Sequence, residues 1–174
     1  MRQFVAVALT IPLMLGCANA ADELSQHPDG QISDQAAIIP DDREAQLDRK
    51  LRAYYEANCI AVIVASTPSL QGSAIEPYAT NLAKKWGISD PGILVLVAPT
   101  ERQVRLEVSR AANRVLSDSA ASTIIADNIL PEFRVGRLAG GTIRGTEAVM
   151  PFFDASRGRD GLDRTAGHTW KATN

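Results

Sequence analysis

Two short apolar runs constrain the fold of this chain more than any other feature. The first, IAVIVAS, covers residues 60–66, and the second, ILVLVAP, covers residues 93–99. Each run is too short to cross a membrane. Continuous apolar runs rich in β-branched residues are typical of strands that are covered on both faces. We therefore expect helices on both sides of a sheet whose central strands are parallel.

Four segments around these runs have helical patterns. Apolar residues recur three or four positions apart, and turn or cap residues bound each segment. The predicted helices cover residues 41–58, 73–86, 117–130 and 138–154. Ser117 or Asp118 is expected to cap the third helix, and Pro131 to end or kink it.

Two of these helices begin with the spacing of a capping box. Asp41 and Glu44 are three positions apart, as are Ser73 and Glu76. In a capping box, the N-cap side chain and the glutamate each accept a hydrogen bond from an otherwise unpaired backbone N–H. At the other end of the second helix, Gly87 is expected to form the carboxyl-terminal cap.

The second apolar run is followed by a segment with a different period. QVRLEVS, residues 103–109, alternates apolar and polar side chains, with Val104, Leu106 and Val108 on one side. A period of two with one wet face is typical of an antiparallel strand. The predicted fold class is therefore α/β: a small helix–sheet–helix sandwich with a mixed sheet, in which an antiparallel hairpin extends a parallel core.

The first 20 residues resemble a signal peptide. Arg2 is their only charge, and an apolar stretch follows it. The small residues Ala18 and Ala20 fit cleavage after residue 20. The alternative is a lipobox-like Leu15-Gly16-Cys17, which would make Cys17 a lipidation site. Both readings place the mature chain in the periplasm or on the extracellular side, soluble or lipid-anchored.

Composition bounds the remaining organisation. Residues 32–154 are predicted to form one domain, and residues 155–174 a disordered tail, because the tail has few apolar side chains. The net charge of −2 becomes −3 when Arg2 is removed with the leader, which leaves no basic footprint for nucleic acid. No stretch after the leader is long enough to span a bilayer, so membrane contact would come only through a lipid anchor.

Cysteine and histidine chemistry is not expected in this chain. Cys59 is the only cysteine outside the leader, and its place before an apolar run predicts a small buried core residue. The two histidines, His27 and His168, lie in polar terminal segments. We therefore exclude a cysteine nucleophile and a histidine-based zinc site.

Acidic residues stand at the ends of several predicted elements. Asp34, Asp90 and Asp118 are the candidate metal ligands, because carboxylates that converge from such turns bind hard cations such as Ca²⁺ or Mg²⁺. Each also has a purely structural interpretation. Asp34 fits a local side-chain turn, Asp90 a turn before proline, and Asp118 a helix cap.

Arginine is concentrated in the second half of the chain. Arg102, Arg110 and Arg114 are candidates for binding an anion, because the guanidinium fork suits carboxylates and phosphates. Ion pairs with nearby glutamates and aspartates are the alternative interpretation.

The order of segments resembles the TPM domain family over about residues 32–150. The resemblance rests on ISDQAAII, VIVASTPSLQGSAIEPYATNLAKKWGIS, GILVLVAPTERQVRLEVS and VLSDSAASTIIADNILPEFRVGRLAGGTIRG. The family includes many bacterial envelope proteins and a thylakoid lumen protein described as an acid phosphatase and photosystem II repair factor. The resemblance implies an α/β sandwich, a calcium or other divalent cation near the loop ends, and weak phosphatase activity in some members.

The family motifs carry over onto this chain unevenly. Asp34 matches the aspartate of a D-x-A segment, and Asp118 the aspartate of an L-[ST]-D turn. Asp90 stands near a D-N-G motif, although Pro91 replaces its asparagine. Glu101 with Arg102 replaces the usual Asp-Arg.

Two family motifs are altered. Gly-x-Gly-Leu-Glu is replaced by the sequence of residues 109–113, SRAAN, and a later G-[DN]-[YF] by residues 136–138, GRL. The loss of acidic ligands weakens a divalent-cation site. We therefore expect a non-catalytic accessory or binding module with an envelope or membrane protein as partner. The alternative is a weak divalent-metal-dependent phosphatase.

Overall fold

The computed structural model describes residues 29–156 of the chain. The predicted signal peptide, Cys17 and most of the predicted tail lie outside the described residues. At the boundary of that tail, the last helix continues to Ser156. Within residues 29–156, no helix is long and apolar enough to cross a membrane.

Four strands form one mixed sheet. They are β1 (Ile32–Asp34), β2 (Ala61–Ser66), β3 (Gly92–Ala98) and β4 (Gln103–Val108), and their order in the sheet follows their order in the chain. The first three strands are parallel, and β4 is antiparallel to β3. This arrangement confirms the predicted α/β class and the predicted hairpin.

The helical elements are more numerous than predicted, because the third helix is divided and an additional short helix of residues 110–113 precedes it. They are α1 (Asp41–Asn58), α2 (Ile75–Lys85), α3 (Arg110–Asn113), α4 (Asp118–Ile124), a π-helical turn (Ile125–Ile129), α5 (Leu130–Arg134) and α6 (Leu138–Ser156).

The sheet separates two apolar cores. Every residue of β2 and β3 is buried, as their unbroken apolar sequences predict. Alternate side chains such as Ile63 and Leu94 pack toward α2 on one face. On the other face, Val64 and Val95 pack in a larger core that includes Leu51 of α1 and residues of α4 and α6. The two-sided burial explains why these strands have no polar face.

The hairpin has the register that the alternation of β4 requires. Val95 is paired with Leu106, which is buried, and Val104 and Val108 pack on the same core. The connecting turn closes with a hydrogen bond from the Arg102 N–H to the Pro99 carbonyl oxygen (3.2 Å).

Neither predicted capping box forms. The N-cap of α1 is Pro40, and Asp41 is therefore already inside the helix. The N-cap of α2 is Ala74, without a side-chain cap. Because of this later start, Pro77 is one of the first three residues of the helix. The N–H groups of these residues make no hydrogen bond within a helix, so the missing N–H of proline costs nothing there. A helix capped by Ser73 would require that N–H for its first hydrogen bond.

The two helix ends that precede β2 and β3 are closed by left-handed residues. Gly87 has φ +58°, and the N–H groups of Gly87 and Ile88 donate to the carbonyl oxygens of Lys84 and Ala83, which confirms the predicted glycine cap. Cys59 ends α1 with φ 53° and is exposed, so its predicted place in the core is wrong. Burial begins one residue later, at Ile60.

The predicted third helix is interrupted by the π-helical turn. Pro131 lies in the first turn of α5, where proline is tolerated, so the chain continues as helix after it. The turn packs closely on α6 at Gly145, where a Cβ atom would overlap the side chain of Ile129. A Cβ at Gly141 would lie 2.7 Å from Cδ1 of Phe133. Both glycines therefore permit the close approach of these segments.

Candidate functional site

One end of the sheet gathers the loops that the sequence singled out. β2 and β3 begin at this end and β4 finishes there, because Ile93 is paired with Val108. We call it the site edge. It carries Asp90, two residues before β3, and the turn of residues 109–113 that follows β4.

Asp90 is tied to the turn after β4. Its Oδ1 atom accepts hydrogen bonds from the Ser109 hydroxyl (2.6 Å) and from the Ala111 N–H (2.8 Å). Ser109 also reaches β3, since its Oγ accepts from the Gly92 N–H (2.9 Å) and its own N–H donates to the Gly92 carbonyl oxygen (2.9 Å). The Asp90 carboxylate is thus held by donors of the protein itself.

Asp118 is held by a neighbour in the same turn. The side-chain amide of Asn113 donates a hydrogen bond to its Oδ1 (2.8 Å). The N-cap of α4 is Ser117, whose Oγ accepts from the Ala120 N–H (3.3 Å). The interpretation of Asp118 as the cap is therefore wrong, and its carboxylate is exposed beside Asn113.

The turn does not require glycine. Ser109 has φ −65° and ψ 165°, and its side chain caps α3 through the Ala112 N–H (3.4 Å). None of residues 109–113 has a positive φ. An ordinary backbone with a serine cap therefore replaces the left-handed conformation that glycine would favour.

Asp34 lies at the opposite edge of the sheet. It is paired with Ser66 at the far end of β2, whereas Asp90 precedes β3. Along β3, Gly92 marks the site edge and Val97 lies at the level of Ser66 and Asp34. Five residue steps of about 3.3 Å separate Gly92 from Val97, so the two edges are about 16 Å apart. The structure brings Asp90 and Asp118 to one edge and leaves Asp34 at the other. Within residues 29–156, no group of three or more histidine, cysteine or acidic side chains forms a metal cluster.

Asp34 organises its own loop instead. Its two carboxylate oxygens accept from the N–H groups of Ile38 (3.2 Å) and Ile39 (2.7 Å), and Oδ1 also accepts from the Ser66 hydroxyl. These contacts confirm its interpretation as a local side-chain turn. They connect β1 to the start of α1.

The three candidate anion-binding arginines are also divided between the edges. Arg110 and Arg114 flank α3 at the site edge, and both are exposed. Arg102 lies in the hairpin turn at the far end of β4. Across residues 29–156 none of the three forms an ion pair. Only Arg110 and Arg114 therefore share a surface.

Ser109 and Asn113, which hold the two carboxylates of the site edge, are not among the candidate residues predicted from the sequence. Ser109 carries a signal that such reasoning can use, because a serine directly before a helix is a preferred N-cap. No comparable local pattern in the sequence indicates that Asn113 has Asp118 as its hydrogen-bond partner. Its hydrogen bond to Asp118 depends on how the chain turns between α3 and α4.

Two further carboxylates stabilise loops away from the site edge. The Glu101 Oε1 atom accepts from the Leu70 N–H and the Ser69 hydroxyl, both at 2.8 Å, and these bonds lower the pKa of Glu101. The hydrogen bond from Arg137 (2.5 Å), together with the charges of Arg137 and Arg144, lowers the pKa of Glu132.

Comparison with solved structures identifies the same architecture in other bacterial proteins. The N-terminal domain of a P. gingivalis protein is 28% identical with a TM-score of 0.68, covering 72% of this chain and 83% of that one. The N-terminal domain of the cg2496 protein from Corynebacterium glutamicum is 15% identical with a TM-score of 0.59, covering 81% and 91%. The BA42 protein from the psychrophilic bacterium Bizionia argentinensis is 16% identical, also with a TM-score of 0.59, covering 67% and 82%.

No curated protein matches the chain. The family model of the TPM domain matches residues 32–151, from the first strand into the last helix. That match includes all four strands and both segments of the site edge. The chain therefore belongs to the TPM domain family.

Proposed function

We propose that this protein is an exported member of the TPM family that acts in the bacterial cell envelope as a non-catalytic accessory or binding module. The observation that supports this role most directly is the hydrogen bonding at the site edge. Asp90 and Asp118 are the carboxylates expected to hold a cation there, and each accepts from a protein donor instead.

The identity of residue 113 is central to this argument. A carboxylate at that position would repel the Asp118 carboxylate unless a cation or a shared proton lay between the two groups. Asn113 is neutral and donates an N–H directly to Asp118. The amide therefore performs, without metal, the stabilising role that a cation would perform between two acids. A site so arranged has less charge with which to bind Ca²⁺ or Mg²⁺.

Binding of an anionic group is the function that remains for this edge. Arg110 and Arg114 are exposed there and have no acidic partner within the described part of the chain. A carboxylate or phosphate on an envelope or membrane protein is the kind of group that such arginines bind. The partner we propose is therefore a protein with an acidic surface segment.

The alternative function is a weak divalent-metal-dependent phosphatase. It is favoured by the presence of Asp90 and Asp118 on the same edge, connected through a single turn. In this reading, Ca²⁺ or Mg²⁺ would displace the amide of Asn113 and be held by two carboxylates. Asp34, which stands on the opposite edge, would take no part.

Two assays on one preparation separate these functions. The purified chain is tested for hydrolysis of p-nitrophenyl phosphate with and without Mg²⁺ or Ca²⁺, and for binding of each cation by calorimetry. The binding-module proposal predicts neither activity nor saturable binding at millimolar cation. Metal-dependent hydrolysis that is lost in Asp118→Asn and retained in the control Asp127→Asn would establish the alternative.

Export and anchoring are tested separately. The apolar stretch and small residues of the first 20 positions support export, and Cys17 supports lipid attachment in place of cleavage after Ala20. Labelling cells with palmitate gives a labelled chain that disappears in Cys17→Ala if a lipid anchor is attached. An unlabelled chain whose first residue is Ala21 would show cleavage by the ordinary route. Retention of residues 1–20 in the mature protein would contradict export by either route.

A further inference from the structure

A cavity of about 260 Å³ lies where the last turns of α1 approach the start of β2. Its walls come from the segment before β1, from α1, from β2 and from the loop that follows α2. The lining residues include Gln31, Tyr55, Glu56, Ile63, Ile88 and Ser89. Ser89 adjoins Asp90, so the cavity is next to the site edge but uses different side chains.

The cavity has an excess of negative charge. Among the described residues that line it, the one cation is Arg52, which donates from Nε to Asp48 (2.6 Å) and from Nη2 to the carbonyl oxygen of Asp29 (3.0 Å). Asp29 and Glu56 also line the cavity, and neither forms an ion pair with any residue of the described range 29–156. The lining therefore has two acidic residues and one basic residue, whose guanidinium is already paired with Asp48.

The interior of the cavity is apolar. Ile63 is buried, and Ile88 packs against the core beneath α2. Tyr55 is half-buried and also lines the cavity. An apolar stem fits against the isoleucines, and a cation is attracted to the face of an aromatic ring.

Two polar atoms in the wall are unsatisfied. Gln31 Oε1 and Ser89 Oγ are buried and have no hydrogen-bond partner within the described part of the chain. Buried polar atoms normally have a partner, and a ligand N–H can supply one when these side chains turn toward it. This observation is independent of the charge of the cavity, and it also favours a ligand that donates hydrogen bonds.

We propose that this cavity binds an alkylammonium group, that is, a protonated amine on a short apolar stem. The ammonium is placed among Asp29, Glu56 and the ring of Tyr55, and the stem lies against Ile63 and Ile88. Such a group occurs on free small amines and on lysine side chains. The inference goes beyond the proposed binding role, because it assigns a ligand of opposite charge to a different place in the fold, and it does not depend on cation binding at Asp90 or Asp118.

The proposal is tested by NMR titration of the ¹⁵N-labelled exported chain in EDTA, so that the result is separate from any effect of divalent cations. The probes are pentylamine, 1-pentanol and pentanoate, which share a stem and differ in the head group. We expect pentylamine to shift the amide signals around Tyr55, Ile63 and Ser89, with a Kd on the order of 1 mM. The alcohol should bind about fivefold more weakly, and pentanoate more weakly still.

Two variants with exposed or half-buried side chains refine the test. Glu56→Gln should weaken pentylamine binding about threefold, and Tyr55→Leu should weaken it while leaving the binding of pentanol similar. Glu147→Gln, which removes the same charge on a glutamate paired with Lys50, should have no effect. Equal binding of the amine and the alcohol, or no saturable shift at these amides, would overturn the proposal.

A final comparison identifies the source of the amine. N-acetyl-lysine methylamide presents the same ammonium as a protein side chain, and pentylamine presents it as a free molecule. Binding of either supports the alkylammonium chemistry, and the tighter of the two names the source. Failure of both, with the fold intact by NMR, contradicts the proposed ligand and leaves the binding-module proposal to its own assays.

Discussion

Asn113 donates its side-chain amide to the carboxylate of Asp118 across 2.8 Å. This single contact connects the turn after β4 to the first residue of α4. It also places a neutral hydrogen-bond donor at the position where the resemblance to the family implies a glutamate. The function of the site edge therefore depends on whether an amide or a cation stabilises Asp118.

Ser109 is predicted to be the main structural residue of the site edge. Ser109→Ala removes the acceptor for the buried Gly92 N–H and the donor to Asp90, together with the cap of α3. The free energy of unfolding should fall by about 2 kcal/mol, since a cap and a buried hydrogen bond are both lost. Urea unfolding followed by circular dichroism measures the change.

Ser117→Ala is the matched control for that variant. It removes the cap of α4 and an exposed hydrogen bond between the Ser117 and Ser119 hydroxyls (2.9 Å), which should lower the free energy of unfolding by about 1 kcal/mol. If the two substitutions are equally destabilising, the additional role assigned to Ser109 is incorrect.

The close contact between α6 and the π-helical turn predicts opposite effects for two glycines. Gly145→Ala should lower the free energy of unfolding by about 1–3 kcal/mol, because the new methyl group overlaps Ile129. Gly140→Ala should raise it by about 0.5 kcal/mol, because its Cβ has room and alanine favours the helix. Thermal unfolding of both variants provides the comparison.

A second substitution shows whether the contact itself is responsible. Adding Ile129→Ala to Gly145→Ala removes both Cγ1 and Cδ1 of Ile129 and should recover part of the loss, giving a coupling energy of about 1 kcal/mol in a double-mutant cycle. Additive effects of the two substitutions would argue against direct overlap.

Glu44 is predicted to destabilise the fold at neutral pH. The pKa of Glu44 is raised above its usual value. Partial burial is the largest cause, and the negative charges of Asp34, Asp41 and Asp48 add to it. A raised carboxyl pKa favours the protonated folded state, so its stabilising contribution is present at low pH and is lost as pH rises through that pKa. Glu44→Gln should therefore stabilise the protein at pH 7 by about 0.5 kcal/mol.

The pH dependence provides the control for this prediction. The difference in the free energy of unfolding between Glu44→Gln and the natural chain should be smaller at pH 4, where the Glu44 carboxyl is largely protonated. Urea unfolding at pH 4 and at pH 7 measures this difference. A variant that is less stable at pH 7, or a gap that does not change with pH, would disprove the assignment.

Periodicity and apolar continuity were sufficient to predict the layers of this fold. The unbroken run of β3 and the alternation of β4 identified a buried central strand and an antiparallel edge strand, because side-chain burial directly determines those patterns. The capping boxes failed because a three-residue spacing does not show where a helix begins. Pro40 and Pro77 determine the starts of α1 and α2.

The candidate site was only partly predictable. Asp90 and Asp118 share an edge because one lies before a strand and the other after the antiparallel return, whereas Asp34 ends a parallel strand and lies at the opposite edge. The sequence alone does not show that Asp34 is separated from Asp90 and Asp118, because this depends on the direction of each strand in the sheet. The partners of these carboxylates depend on tertiary contacts, which no local pattern encodes.

The central claim is that Asn113 replaces a cation at the site edge, and Asn113→Glu tests it most directly. Calorimetric titration with Ca²⁺ and with Mg²⁺ should give no saturable binding to the natural chain. Asn113→Glu should gain binding and should be stabilised by the cation in thermal unfolding, because the cation binds only the folded state. Equal binding to both chains, or tight binding to the natural chain alone, would contradict the account.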